Sequence, residues 1–243
     1  DTLCTSVGAN ASPAVVRTWV HHDTVSLGIQ DTKLPFFEEG LAVLKNRGFR
    51  YIVRNSGGLA VVLDTGVLNI SLVMPDTEKG MDINRGYEAM FKLVQMMFSD
   101  FPVVIEAGEI AGSYCPGSYD LSIGGKKFAG ISQRRVRRGV AVQIYLCVTG
   151  SGADRAELVQ DFYERAKQGA ETKLQYPCVR PEVMASLSEL LQEILTVQDV
   201  FMRLLQTLKT LGSRLVSRPL SEQETKWYGK YYERMLERNA RFL

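Results

Sequence analysis

Apolar and polar positions divide the chain into a mixed stretch up to about residue 180 and a helical remainder. Residues 15–29 (VVRTWVHHDTVSLGI) are β-branched with aromatic punctuation, which predicts one or two strands. Residues 35–47 begin at Pro35 and place Phe37, Leu41 and Leu44 at helical spacing, and Gly48 stops that helix. Phe49 to Arg54 and Leu59 to Asp64 read as strands around the turn Asn55-Ser56-Gly57-Gly58, and Val67 to Met74 reads as another. A helix over 84–99 opens at Asn84 and ends near Pro102. Short extended pieces follow at Val103–Ala107, Leu121–Ile123 and Lys127–Ser132, with Gly124-Gly125 as a hairpin signal. Val140 to Val148 is a long apolar strand, followed after Gly150-Ser151-Gly152 by a helix from about Ala153 to Gln168. From Pro181 the period becomes 3.6, over 181–210 and again over about 220–241. The Met and aromatic stripes there read as packing seams. This layout predicts an α+β fold, a mixed β-sheet packed with helices.

Composition narrows the class without changing that layout. With 243 residues, 45% hydrophobic and 23% charged, the chain can bury a core without metal or disulfide staples. No apolar run approaches the roughly 20 residues of a membrane span. Asp1 to Asn10 has neither the basic start nor the apolar core of a signal peptide. The chain starts at Asp1 rather than Met, which reads as a trimmed piece. Cys4, Cys115, Cys147 and Cys178 form no CxxC pair and no zinc spacing, so we expect a reduced, cytoplasmic protein without a metal or membrane contact. His21 and His22 are adjacent and would point to opposite faces of a strand, which predicts no catalytic role for them.

The net charge of +2 hides one basic cluster, Arg134, Arg135, Arg137 and Arg138, close after Lys126 and Lys127. Such density suits an acidic partner surface. A solvated hairpin explains it equally well. No interleaved aromatic motif accompanies it, so nucleic acid is not expected.

Two segments carry candidate chemistry. Arg54-Asn55-Ser56-Gly57-Gly58 lets the backbone turn tightly beside a guanidinium, although a structural hairpin accounts for it too. It is not a phosphate loop, since no GxxxxGK[ST] follows. Gly112 to Asp120 (GSYCPGSYD) is a polar loop in which Cys115 alone of the four cysteines sits among small residues. A hairpin through Gly124-Gly125 folds Lys127 back toward that loop, and an ammonium near a thiol favours the thiolate nucleophile.

In combination, Arg54-Asn55-Ser56-Gly57-Gly58 with Asn69, and Gly125-Lys126-Lys127-Phe128-Ala129-Gly130, resemble the lipoate/octanoate transferase and ligase family, related in fold to biotin protein ligase. The resemblance implies a catalytic domain over 9–213, with a helical C-terminal portion over 181–243 overlapping and packing on it. Lipoate ligases usually carry a third glycine where Leu59 stands, and a His-Gly where this chain reads Val140-Ala141-Val142-Gln143-Ile144. Both departures weaken the case for adenylating chemistry. Tyr114 to Arg138 instead resembles the cysteine-bearing octanoyltransferases of Gram-positive bacteria, nearest their amidotransferase branch.

That resemblance implies transfer of an octanoyl group from the glycine cleavage system H protein to lipoyl domains of 2-oxoacid dehydrogenase complexes. Cys115 would carry the chain as a thioester, and Lys127 would favour its thiolate and bind the acyl carbonyl. Arg54, Ser56, Gly57, Gly58, Asn69 and Gly130 would bind the acyl group, with Val61, Val62, Leu63, Leu68, Ile70 and Leu72 as tunnel walls. Arg134, Arg135, Arg137 and Arg138 would steer the acidic carriers. Neither ATP nor any other cofactor would be needed, and a monomer is the simplest state. An acyl carrier protein donor, an ATP-dependent ligase and an inactive lipoyl-domain binding module remain as alternatives.

Overall fold

The computed structural model describes residues 1–76, 82–212 and 214–242. Its elements in chain order are α1 (Thr2–Gly8), β1 (Val15–Trp19), β2 (Thr24–Leu27), α2 (Phe37–Asn46), β3 (Arg50–Val53), β4 (Val61–Leu63) and β5 (Val67–Pro75). They continue with α3 (Ile83–Met97), β6 (Glu106–Ala107), β7 (Asp120–Ile123), β8 (Lys126–Val136), β9 (Gly139–Cys147) and α4 (Gly152–Lys167). The last three are α5 (Leu187–Leu191), α6 (Val197–Thr210) and α7 (Glu222–Asn239). The strands form two sheets. One is six-stranded and antiparallel, in the order β1-β5-β9-β8-β7-β6; the other is three-stranded, in the order β3-β2-β4, with β2 parallel to β3.

Side chains alternate across a strand, so each strand of the large sheet feeds two different layers. Leu68 and Ile70 of β5 with Val140, Val142, Ile144 and Leu146 of β9 pack against Met90, Leu93, Val94 and Met97 of α3 and Val200 and Leu204 of α6. The residues between them, Asn69, Ser71, Gln143 and Tyr145, face the other way. The small sheet forms a second core with α2 and α4 through Val25, Leu27, Val53, Leu41, Leu44 and Phe162. The site lies where these two layers meet.

Most predicted elements stand where the pattern puts them. The strand expected over 103–107 shrinks to Glu106–Ala107, and the piece expected over 127–132 extends to Val136. The helical period over 181–210 is cut into a 3-10 turn at Pro181–Val183, then α5 and α6. Ser186 and Thr196 each open a new helix with a capping box, and Gln192, left-handed at φ 54°, ends α5. Helix α1, with no periodic apolar signal of its own, packs Cys4 and Val7 on Val73 and Ala141. Its Ser6 Oγ donates to the buried Glu224 of α7 at 2.7 Å. Among the described residues no helix is long and apolar enough to cross a membrane.

Candidate active site

Register brings the site together. Trp19 pairs with Asn69, Asn69 with Tyr145, Tyr145 with Gly130, and Gly130 with Asp120, so one row crosses five strands and shares a face. This row floors a cavity of about 440 Å³, a volume in the range of small-molecule sites. Ser26, Val61, Leu63 and the Arg54–Gly58 turn wall it on one side, and Cys115, Pro116 and Gly117 on another. All six residues expected to bind the acyl group, Arg54, Ser56, Gly57, Gly58, Asn69 and Gly130, line the cavity together with Cys115. Of the expected tunnel walls, Val61 and Leu63 line it, whereas Val62 belongs to the core of the small sheet and Leu68, Ile70 and Leu72 to the core on the far face of β5.

Lys127 stands behind the cavity, fully buried. A bulge puts it there: Leu121 pairs with Ala129 but Ser122 with Lys127, so Phe128 is an extra residue in β8. The bulge sends Phe128 into the α3–α6 core and turns Lys127 to the cysteine loop. Its Nζ pairs with Asp120 Oδ1 at 2.9 Å and donates to Ser113 Oγ at 3.2 Å, Tyr114 O at 2.9 Å and Cys115 O at 3.1 Å. Asp120 Oδ2 also accepts from the Gly117 amide at 3.2 Å. Burial pushes the Asp120 carboxyl above the usual carboxylate range, and the Lys127 ammonium opposes that shift.

The loop so gripped carries Cys115 at φ 46°, a left-handed conformation that costs a non-glycine residue roughly 1–2 kcal/mol. Its sulfur accepts from the Leu59 amide at 3.1 Å and lies 3.9 Å from Arg54 Nη2. The contacts of Lys127 therefore fall on the carbonyls flanking the Cys115 side chain, while the Leu59 N–H and the Arg54 guanidinium take the place at sulfur that the lysine was expected to hold. Arg54 also donates to Ser26 O at 2.6 Å, Gly57 O at 3.1 Å and Leu59 O at 2.7 Å, which fixes the turn. Gly58 must be glycine here: φ is 91°, and a Cβ would stand 2.9 Å from the Cys115 sulfur and 2.7 Å from Arg54.

A buried carboxyl backs this turn. Asp31 accepts from the Gly28 amide at 2.8 Å and from Tyr163 Oη at 2.8 Å, and Tyr163 Oη accepts from the Ala60 amide at 3.3 Å. Burial pushes Asp31 up to about 6, against the hydrogen bonds from Gly28 and Tyr163.

The basic cluster separates into distinct roles. Arg134 forks onto the Asp1 carboxylate and donates to Asn55 O at 2.9 Å, bracing the Arg54–Gly58 turn. Arg135 pairs with Asp76 at 3.2 Å. Arg137 and Arg138, at φ 47° and 65°, form the exposed two-residue turn between β8 and β9. Cys4 and Cys147 are buried, Cys178 is exposed, and all four thiols are free.

Several site residues escape the sequence reading. Asp120 follows Cys115 by five residues in the same polar loop, a spacing that could have marked it. Leu59 acts through its backbone, which no side-chain motif reveals. His21 lines the cavity in the link between β1 and β2, with its Nε2 accepting from Trp19 Nε1 at 3.0 Å. Tyr145 is visible only through strand register.

Two outcomes are expected. Lys127→Met leaves the Asp120 charge buried and unpaired, so urea denaturation at pH 7 should show a loss of about 3–5 kcal/mol, partly recovered by adding Asp120→Asn. Asp31 has a folded pKa above its unfolded one, so its stabilisation is complete below pH 4 and lost as pH rises through 6. Relative to Asp31→Asn, the wild type should lose roughly 2 kcal/mol of unfolding free energy between pH 4 and pH 7. A parallel pH dependence of the two proteins would contradict this.

Comparison with known proteins identifies the family. A family model described as the lipoyl protein ligase A/B catalytic domain matches residues 1–209. The octanoyl-[GcvH]:protein N-octanoyltransferase of Geobacillus kaustophilus is 60% identical over 98% of this chain and 84% of its own length. The lipoyl-[GcvH]:protein N-lipoyltransferase of Listeria monocytogenes is 54% identical over 100% of this chain and 87% of its own. Among solved structures, lipoate-protein ligase A bound with ATP superposes with a TM-score of 0.70 at 18% identity, covering 96% of this chain and 88% of that one. A bipartite lipoate protein ligase from Thermoplasma acidophilum superposes with a TM-score of 0.66 at 17% identity, covering 96% and 86%. The matched span takes in both motifs and every residue that lines the cavity, and so the chain belongs to the lipoyl protein ligase A/B catalytic-domain family.

Proposed function

We propose that this chain transfers an octanoyl group from a lysine amide of the glycine cleavage H protein to the lysine of lipoyl domains, through a thioester on Cys115. The observation that carries the reading is the Cys115 sulfur, held at the cavity wall on the Leu59 N–H, in a chain 60% identical to a protein named an N-octanoyltransferase acting from that carrier. A nucleophile on a strained turn, with its sulfur already hydrogen-bonded, suits covalent catalysis.

The thiolate attacks the carbonyl carbon of the octanoyl-lysine amide, and the carbonyl electron pair moves onto oxygen. Collapse breaks the C–N bond, and the donor lysine leaves as an amine with the proton the thiol gave up. The acceptor lysine amine then attacks the thioester carbonyl. Collapse breaks the C–S bond and returns a proton to sulfur. One amide replaces another, so the exchange is nearly isoenergetic and needs no nucleotide, metal or other cofactor. At about 0.8 kcal/mol per buried methylene, an octanoyl chain in the cavity contributes roughly 5 kcal/mol of binding. The exposed Arg137 and Arg138 supply positive charge that steers acidic carriers.

Intact-protein mass spectrometry after mixing with octanoylated H protein, without ATP, tests the reading. The wild type should gain one octanoyl mass, and Cys115→Ala should gain none. An adduct only from octanoyl acyl carrier protein would keep the reaction and change the donor. Adenylate formation together with activity that survives Cys115→Ala would replace the proposal with a ligase.

A further inference from the structure

Tyr145 stands in the middle of the row that floors the cavity, between Asn69 and Gly130 in register. Both of those neighbours belong to the motifs assigned to acyl binding, whereas Tyr145 belongs to neither. Its ring lies over Gly130: a Cβ there would come 2.8 Å from Cε1 and 3.2 Å from both Cζ and Oη. Any side chain at 130 would thus displace the tyrosine, which gives the glycine of that motif a physical purpose. The hydroxyl end of the ring therefore sits beside Gly130, whose register partner is Asp120, and both of those residues line the cavity with Cys115.

The phenol oxygen is buried and has no hydrogen-bond partner among the described residues. Its surroundings explain why. The Asp120 carboxylate is taken by Lys127, Ser113 and the Gly117 amide. The Cys147 thiol is shared with Tyr114, whose ring stacks on that of Tyr145 at 6.1 Å between centroids. Buried hydroxyls are rarely left without partners, and an unpaired donor on a residue that lines a cavity points to an acceptor on whatever fills it. Burial, with Tyr114 and Cys147 beside it, holds the phenol far above its ordinary value, so it stays a donor through the physiological range.

A fatty acyl chain in amide or thioester linkage offers one acceptor near the nucleophile, its carbonyl oxygen. We propose that Tyr145 is a catalytic residue whose hydroxyl donates a hydrogen bond to the acyl carbonyl oxygen when Cys115 attacks. This rests on the acyl-transfer reading and deepens it. As the thiolate adds to the carbonyl carbon and the π electron pair moves onto oxygen, the O–H···O bond strengthens without transferring its proton. When the carbonyl re-forms and the C–N or C–S bond breaks, the tyrosine is unchanged. The same donor serves both half-reactions, because the carbonyl oxygen stays in place while the amine or sulfur partner exchanges.

Tyr145→Phe tests this cleanly, since the hydroxyl it removes makes no hydrogen bond among the described residues. The melting temperature should not fall. Binding of N-methyloctanamide, an unreactive mimic of the octanoyl-lysine amide, should weaken about tenfold by calorimetry. Octanoyl transfer from octanoylated H protein should lose roughly tenfold to a hundredfold in kcat, with a smaller change in KM. Equal affinity and equal kcat in the two proteins would overturn the proposal, as would a wild type that does not bind the amide at all. A wild type that binds the amide yet transfers nothing would sink the acyl-transfer reading and with it the catalytic role, whereas equal affinity and kcat beside an active wild type would sink the Tyr145 role alone. In the first case the affinity ratio would still decide whether Tyr145 reads the carbonyl.

Discussion

A lysine side chain enclosed on every side by protein is tolerated only where its charge and all its protons find partners. Lys127 meets that condition through the Asp120 carboxylate, the Ser113 hydroxyl and two main-chain carbonyls, those of Tyr114 and Cys115. The two carbonyls matter most, because they belong to the turn that carries the thiol. That turn places a non-glycine residue in the left-handed region, a strained conformation that persists only if its surroundings enforce it. The buried ammonium is the enforcing element, and the bulge at Phe128 is what aims it. This pair fixes the turn on the main-chain side, while the Arg54 guanidinium meets the sulfur from the other.

From that anchor the rest of the site acquires a consistent arrangement. The small sheet supplies the Arg54 turn, tied to its own carbonyls and to Ser26, and Gly58 lets the sulfur approach without collision. Asp31 and Tyr163 hold the backbone on either side of that turn from within the core. The large sheet supplies a floor of in-register residues. Lys127 and Arg54, the cationic groups near sulfur, are both engaged with backbone carbonyls, so the Cys115 thiol is placed by fixed contacts rather than by mobile charge. The proposed exchange of one amide for another needs little else: a held acyl chain, a covalent carrier for it, and access for two lysines in turn.

Much of this was legible in the sequence, and the reasons for the remainder are specific. The strands β5 and β9 and the helices α2, α3 and α4 follow directly from period and punctuation. The resemblance brought Cys115, Lys127 and six lining residues to one place. What it could not convey was the contact map at the level of atoms. Lys127 and Cys115 are neighbours, yet the lysine meets the carbonyls, because a single-residue bulge sets its direction and no residue type announces a bulge. Leu59, read as a departure from a glycine, contributes through a backbone amide that any residue would have. Arg134 looked like part of a docking patch, but its partners Asp1 and Asn55 are distant in sequence. Tyr145 and His21 carry no motif and enter the site only through pairing and folding.

Hydrogen exchange of the Leu59 amide tests the central claim most directly, that Lys127 works by holding the cysteine turn so that sulfur sits on this N–H. In the wild type this amide should be protected. It should exchange at least about tenfold faster in Cys115→Ala, which removes the acceptor, and by a similar factor in Lys127→Met, which releases the turn. The Ala60 amide, bonded to Tyr163 instead, should stay protected in Cys115→Ala. A Leu59 amide that exchanges at the wild-type rate in both variants would contradict the account, because neither the sulfur contact nor the lysine clamp would then exist in solution.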